Sequence, residues 1–365
     1  MGKTTAVIQL PHGTLPLPAF LPDATKGLVR SLDSRDLENC GVKAVVMNTY
    51  HLMQNPGSST IRALGGLHHM SGWQRPIITD SGGFQIYSLI RQNPSYGSIS
   101  SKGATFFTGE GKSSPKKYHL SPEKSIQLQL NYGSDIIICL DDCTHVDAPF
   151  STQEESVRRT IGWAKRSKKE YIRLLDQKGF SSQNRPLIFA VIQGGGSFEL
   201  RKICAQELSD IGFDGYGYGG WPLDNQGHLL TDLLEYVRSL IPSTYPLHAL
   251  GVASPEAVTA CHRMGYILFD GAMPTRDARH GRLYVFTSNP ASIPNIDNDW
   301  FSYLYIFDDK HIKSSSPISL FCDCLVCQNY SLGYLHHLFK ISDSLAHRLA
   351  TIHNLRFMNQ LIENL

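Results

Sequence analysis

The sequence predicts an α/β fold, a (β/α)8 TIM barrel, on three observations. Eight short apolar runs recur along the chain, each gives way to Gly, Asn or Asp, and each turn leads into a segment with helical signals. The runs are Leu17 to Leu21, Lys43 to Asn48, Pro76 to Asp80, Asp135 to Asp141, Leu187 to Gln193, Phe213 to Tyr218, Leu247 to Gly251 and Tyr266 to Asp270. They are apolar throughout rather than alternating, which suits parallel strands covered on both faces. A doubly wound open sheet is the alternative that the same alternation allows.

The intervening segments open as helices do. Ser121-Pro122-Glu123 and Ser254-Pro255-Glu256 each offer an N-cap, a proline in the first turn and an acid at the positive end of the dipole. Ser151-Thr152-Gln153-Glu154 has the spacing of a capping box. Two stretches exceed a minimal barrel. Residues 86–120, rich in Gly, Ser, Thr and Phe, predict a β-rich insertion after the third strand, and residues 284–341 form a second insertion after the eighth. A last helix over 343–364 closes the barrel, so residues 1–365 are expected to form one catalytic domain.

The chain of 365 residues is 41% hydrophobic and 18% charged, the balance of a globular protein. No apolar run approaches the roughly 18 residues that span a bilayer. The start, Met1-Gly2-Lys3-Thr4-Thr5-Ala6, lacks a signal-peptide core, and the expected location is cytoplasmic with no membrane partner. A net charge of +2 does not mark a nucleic-acid binder, so any such binding rests on local patches. Two basic runs exist, Lys112 to Lys117 and Trp163 to Arg173; each alone reads as a solvated face.

Of the eight cysteines, Cys40, Cys139, Cys143, Cys204 and Cys261 are scattered, whereas Cys322-x-Cys324-x-x-Cys327 crowds three into six residues. That spacing points to a metal rather than to disulfides. With His353 the set is three thiolates and an imidazole, a closed tetrahedral shell for one structural Zn²⁺. His336, His337 and His347 compete as the fourth ligand.

Polar residues gather where the strands end. Asn48-Thr49, Asp80-Ser81, Asp141-Asp142-Cys143, Gln193-Gly194-Gly195, Gly219-Gly220, Gly251 and Asp270 would all lie on the C-terminal rim, where barrel enzymes place their sites. One acid after one strand is usually a helix cap. Three carboxylates and a glutamine converging from separate strands read as an active site. Asp80 and Asp270 suit the two carboxylates of a retaining glycosyl displacement.

These residues resemble signature segments of the tRNA-guanine transglycosylase family, in its bacterial-type catalytic form. The resemblance rests on Asn48-Thr49-Tyr50-His51-Leu52, Asp80-Ser81-Gly82-Gly83-Phe84-Gln85, Gln193-Gly194-Gly195 and Gly212-Phe213-Asp214-Gly215-Tyr216. It continues through Phe269-Asp270, Met273-Pro274-Thr275-Arg276, the cysteine cluster and Thr351-Ile352-His353-Asn354-Leu355-Arg356, in order from about residue 15 to 358. The resemblance implies a zinc-bearing barrel with His353 as the fourth ligand. It implies exchange of a tRNA anticodon guanine for a free 7-deazaguanine, with Asp270 as nucleophile and Asp80 as general acid and base. The base site it implies comprises Ser81, Gly82, Gly83, Phe84, Asp141, Cys143, Gln193, Gly219, Gly220 and Leu250, with Phe84 and Leu250 sandwiching the ring. The tRNA-contacting loops it implies are Gly251, Val252, Ala253, Ser254, Pro255, Glu256 and Ala257, together with Thr275, Arg276, Asp277, Ala278 and Arg279. It also implies a homodimer. A non-catalytic tRNA-binding partner subunit would lack the acids; both are present here.

The chain departs from the bacterial pattern at one place. Bacterial members continue the pocket loop as Gly-Gly-Leu-Ala-Val-Gly-Glu; here it reads Gly219-Gly220-Trp221-Pro222-Leu223-Asp224-Asn225. Pro222 removes a backbone donor and Asn225 supplies no carboxylate. The expectation is a pocket that has moved from preQ1 toward queuine. Asp142 in place of Glu and His280 in place of Asn read as neutral changes.

Overall fold

The computed structural model describes residues 6–108, 116–291 and 300–365. Its centre is an eight-stranded parallel sheet in the order 1-8-7-6-5-4-3-2. The strands are β1 (Ala19–Pro22), β2 (Val45–Asn48), β3 (Ile77–Asp80), β4 (Ile136–Ile138), β5 (Leu187–Ile192), β6 (Gly215–Tyr218), β7 (Leu247–Ala249) and β8 (Leu268–Gly271). Just beyond β1 the chain meets β2: Asp23 bridges Val46, Ala24 N–H donates to Val46 O (2.7 Å), and Asn48 N–H to Thr25 O (3.3 Å). The sheet therefore closes into a barrel, and the open-sheet alternative is set aside. Six of the eight apolar runs contain their strand, while β1 and β8 each run one residue past theirs, to Pro22 and Gly271.

Inside the barrel, Ala19, Leu21, Val46, Ile78, Ile136, Ile138, Phe189, Val191 and Leu268 pack together, from alternating positions of six of the eight strands. Leu10, Leu15 and Leu17 join them from an N-terminal hairpin, Val7–Leu10 with Gly13–Pro16, that covers the lower end. There the buried Asp135 accepts from His12 N–H (2.8 Å) and Ile77 N–H (2.8 Å), with His12 Nδ1 at 2.9 Å and His68 Nε2 at 3.3 Å. Burial alone would raise this carboxyl, but these partners hold it below its ordinary value.

The helical caps at Ser121 and Ser254 form as read: Ser121 Oγ accepts from Lys124 N–H and Ser254 Oγ from Ala257 N–H, both at 3.2 Å. The capping box at Ser151 does not form. That helix, Phe150–Lys178, already begins one residue earlier behind Pro149, and Ser151 lies within its first turn. The insertion after β3 also starts differently. Gly83–Gln92 is a helix with Ile86 buried, and the antiparallel sheet begins only at Gly97–Ser100, continuing through Gly103–Thr108 and Lys116–Leu120. Gly and Ser in this stretch mask the spacing of Ile86, Leu89 and Ile90. Residues 109–115, which hold part of the basic run Lys112 to Lys117, lie outside the described residues, as do 292–299 of the second insertion.

After β8, strand Arg282–Phe286 pairs with Phe301–Tyr305, and both face the last helix, Ser344–Asn364. Asp343 caps that helix through Leu345 N–H (2.8 Å). The helix packs against Met273–Arg279 and β1 and is buried along nearly its whole length; stacking of Phe357 on Phe286 (4.0 Å between ring centroids) ties it to the hairpin. Among the described residues no helix is long and apolar enough to cross a membrane.

Candidate active site

The register of the barrel brings the acids together. Asn48 stands opposite Asp80 at the upper ends of β2 and β3, and Asp270 opposite Leu21 at those of β8 and β1. Asp80 and Asp270 line one cavity of about 940 Å³, with Asp23, Asn48, Phe84, Pro222, Gly251 and Arg276 also on its wall. Asp80 is firmly held: Asn48 Nδ2 donates to Oδ2 (2.7 Å), and Gly82 N–H (3.0 Å) and Thr49 N–H (3.3 Å) to Oδ1. Gly82 reaches that carboxylate with φ +79°, and a Cβ there would meet Tyr50 Cβ at 2.8 Å, so the turn requires glycine.

Three donors ought to depress the carboxyl. Burial outweighs them, and the charges of Asp270 and Asp23 add to it, so Asp80 is pushed up to about 8. Asp270 accepts from Gly251 N–H at Oδ1 (2.9 Å).

A second group lies beside the first. Asp141 accepts from Gln193 Nε2 at Oδ2 (2.7 Å) and from Ser81 Oγ at Oδ1 (3.3 Å), and burial raises it to about 6. Gln193 Oε1 is buried without a partner, an acceptor facing a donor that the protein does not supply. Gly219 makes room for that amide, since a Cβ there would lie 2.5 Å from Gln193 Nε2. Gly83 abuts the Asp141 carbonyl, and Gly220 takes φ +97°.

Other predicted residues divide. Gly251, Val252, Ala253, Ser254, Glu256 and Ala257 line the cavity, and Pro255 opens the helix Pro255–Arg263 behind them. From the second loop Arg276 lines it too. Thr275 and Ala278 are buried, and Asp277 accepts from Tyr284 Oη and Arg282 Nη2 (both 2.6 Å), which commits it to the C-terminal hairpin. Arg279 is partly buried with Nη1 unpaired. Cys143 is buried, its thiol pushed up by burial and then by Asp141; neither it nor Leu250 lies on the cavity wall. Phe84 is 43% exposed, and Trp221 rests 4.8 Å from it, with Tyr87 (5.8 Å) and His145 (5.5 Å) also against the indole. Residues 163–173 show less free charge than their sequence: Lys165, Arg166 and Arg173 pair with Glu207, Glu123 and Glu170. Asp23 was missed. It stands just past the end of β1, bridging Val46, whereas the predicted run stops at Leu21, two residues short.

The metal-ligating set is complete. Donor atoms of Cys322, Cys324, Cys327 and His353 lie within 4.8 Å of one another. His353 Nδ1 is 3.6 Å from Cys324 Sγ and 3.4 Å from Cys327 Sγ. Edges of about 3.6 Å are what Zn–S and Zn–N bonds of about 2.3 and 2.0 Å give in a tetrahedron. His353 Nε2 lies 2.8 Å from Tyr284 O, which leaves Nδ1 to the ion. The other candidate histidines are not in the cluster. The cluster can hold a metal ion with no ligand position left open.

A barrel whose rim cavity holds two acids from separate strands, one of them raised by burial, fits the class of enzymes that displace a group at a glycosidic carbon. The family model described as queuine tRNA-ribosyltransferase matches residues 2–365. Proteins named queuine tRNA-ribosyltransferase are similar to this chain in Idiomarina loihiensis (36% identical, over 97% of this chain and 87% of the relative), Staphylococcus epidermidis (35%, 100% and 88%) and Haemophilus influenzae (37%, 98% and 86%). The chain belongs to the queuine tRNA-ribosyltransferase family, and is thus a tRNA-guanine transglycosylase, a pentosyltransferase.

Proposed function

We propose that the protein exchanges guanine 34, the wobble base of tRNAs with G-U-N anticodons (Asp, Asn, His and Tyr), for a free 7-deazaguanine. Asp270 attacks C1′ of the ribose as the C1′–N bond to guanine breaks, and the protonated Asp80 supplies the proton the departing base needs. Asp80, now a carboxylate, takes a proton from the incoming base, which displaces Asp270 from C1′. Two inversions retain the β configuration, and the kinetics are ping-pong. The observation that carries this reading is the shared cavity of Asp80 and Asp270, with Asp80 raised to about 8. In the base site Asp141 accepts from the Watson–Crick edge, and Gln193 and Gly220 hold the other polar edge. Phe84 gives the ring an apolar face.

Arg276 and the wall from Gly251 to Ala257 receive the splayed anticodon. Cys322, Cys324, Cys327 and His353 hold one Zn²⁺, which pins the cysteine-bearing end of the second insertion to the last helix and takes no part in the chemistry. The working form is a cytoplasmic homodimer. Trp221 stands against Phe84 where the bacterial loop places Leu, and Asn225 donates to Asp147 (2.6 Å); these replacements favour queuine over preQ1.

Incorporation of labelled guanine into unmodified G-U-N tRNA tests the activity, with Asp270→Ala alongside. Label in the wild type alone is expected. None in a folded, zinc-loaded wild type would make the chain a binding subunit. For the base, kcat/KM for queuine should exceed that for preQ1; the reverse order would refute the loop argument.

A further inference from the structure

We propose that His248 is a positioning residue for the nucleophile, fixing one oxygen of Asp270 so that the other faces the ribose. The inference rests on the reading of Asp270 as nucleophile. His248 is the middle residue of β7, paired with Gly217 of β6 and Leu268 of β8. Its neighbours Leu247 and Ala249 belong to the outer core, so by alternation its imidazole points into the barrel, toward the apolar layer of Val191 and Leu268. An imidazole is out of place there, and it is only 1% exposed.

Its Nε2 has no aligned hydrogen-bond partner, yet lies 2.9 Å from Asp270 Oδ1. A buried ring nitrogen is costly to leave unpaired, and a rotation of the ring brings an N–H onto that oxygen. The same Oδ1 already accepts from Gly251 N–H. Two donors on Oδ1 fix the plane of the carboxylate and draw charge from that oxygen. Among the described residues no hydrogen bond goes to Oδ2, which remains for attack on C1′.

The test compares His248→Leu, which suits the apolar layer, with His248→Asn, which keeps an N–H donor. Guanine exchange by His248→Leu should lose about 10- to 100-fold in kcat, the scale of one hydrogen bond to a charged group, with KM for tRNA within about twofold. His248→Asn should recover most of the loss. A wild-type kcat in His248→Leu, or equal losses in both variants, overturns the proposal. A second readout needs no turnover. In ¹⁵N-histidine spectra of the whole protein, the resonance that His248→Asn removes should shift in Asp270→Asn; an unmoved resonance overturns the pairing. The two readings separate cleanly: activity surviving in Asp270→Ala removes the nucleophile assignment and this proposal together, whereas loss in Asp270→Ala beside a normal His248→Leu removes only this proposal.

Discussion

Two aspartates, one fully buried and one half-buried on the cavity wall, occupy opposite ends of the same barrel and behave in opposite ways. Asp135, at the lower end, is held below its ordinary value; Asp80, at the upper end, is pushed up to about 8. Burial raises both. The difference lies in their company. Asp135 has two imidazoles and two backbone N–H groups around it, all donors or potential cations. Asp80 has an amide and two N–H groups but shares its cavity with the carboxylates of Asp270 and Asp23. The lower acid is compensated and structural, tying the N-terminal hairpin to β3 and β4. The upper one is left under-compensated, which costs stability and leaves a proton available for chemistry.

The upper acids are the more sensitive to substitution. Asp270→Ala should lower exchange by about a thousandfold or more while the protein melts within a few degrees of wild type, measured by label incorporation and calorimetry. Asp80→Asn should slow exchange by about a hundredfold or more, the scale of general acid–base catalysis. It should also change the pH dependence of stability. Between its unfolded pKa of about 4 and its folded value of about 8, Asp80 binds its proton more tightly in the folded protein, so wild-type stability falls as pH rises through that window. Urea midpoints of Asp80→Asn should lack that decline; an unchanged slope would show that Asp80 is not the raised group.

At the bottom the effects fall on stability alone. Asp135→Asn should cost about 3 kcal/mol, since it removes the charge from a fully buried hydrogen-bonding centre, with kcat per folded molecule unchanged. Because the folded pKa of Asp135 is depressed, its contribution is present above the unfolded value of about 4 and lost as pH falls below it. His12→Ala should cost under about 1 kcal/mol, as its ring is 39% exposed and the pair is screened. The pKa of His12 is raised, the side-chain hydrogen bond to Asp135 being the largest cause, so that loss should be full below about pH 6.5 and fade as pH rises above it. A cost that grows with pH would contradict the pairing.

Much of the upper face was legible because its chemistry is written at strand ends. Asp80, Asp141, Gln193 and Asp270 each follow an apolar run, and eight such runs force a common rim. Asp23 escaped because the first apolar run is short and ends at Leu21, with Pro22 standing between it and the acid. The lower face was hardly legible at all. His12 reaches Asp135 across 123 residues, and the hairpin that carries it shows only four residues per strand, too few for a clear period. Asn48 was seen as a rim residue, but its bond to Asp80 depends on the register of β2 against β3, which no local pattern encodes. The Cys-x-Cys-x-x-Cys spacing identified the thiolates, whereas His353 was chosen among the histidines only through the family resemblance, and the last helix brings its Nδ1 to Cys324 and Cys327.

The most direct test of the paired acids is to trap the intermediate. Whole protein is mixed with unmodified G-U-N tRNA, without added base, and run on a denaturing gel. The wild type should give a band of the tRNA–protein adduct, Asp80→Asn a band that forms more slowly, and Asp270→Ala none. A band of wild-type intensity from Asp270→Ala would contradict the account, because the covalent bond to C1′ would then be made by another residue.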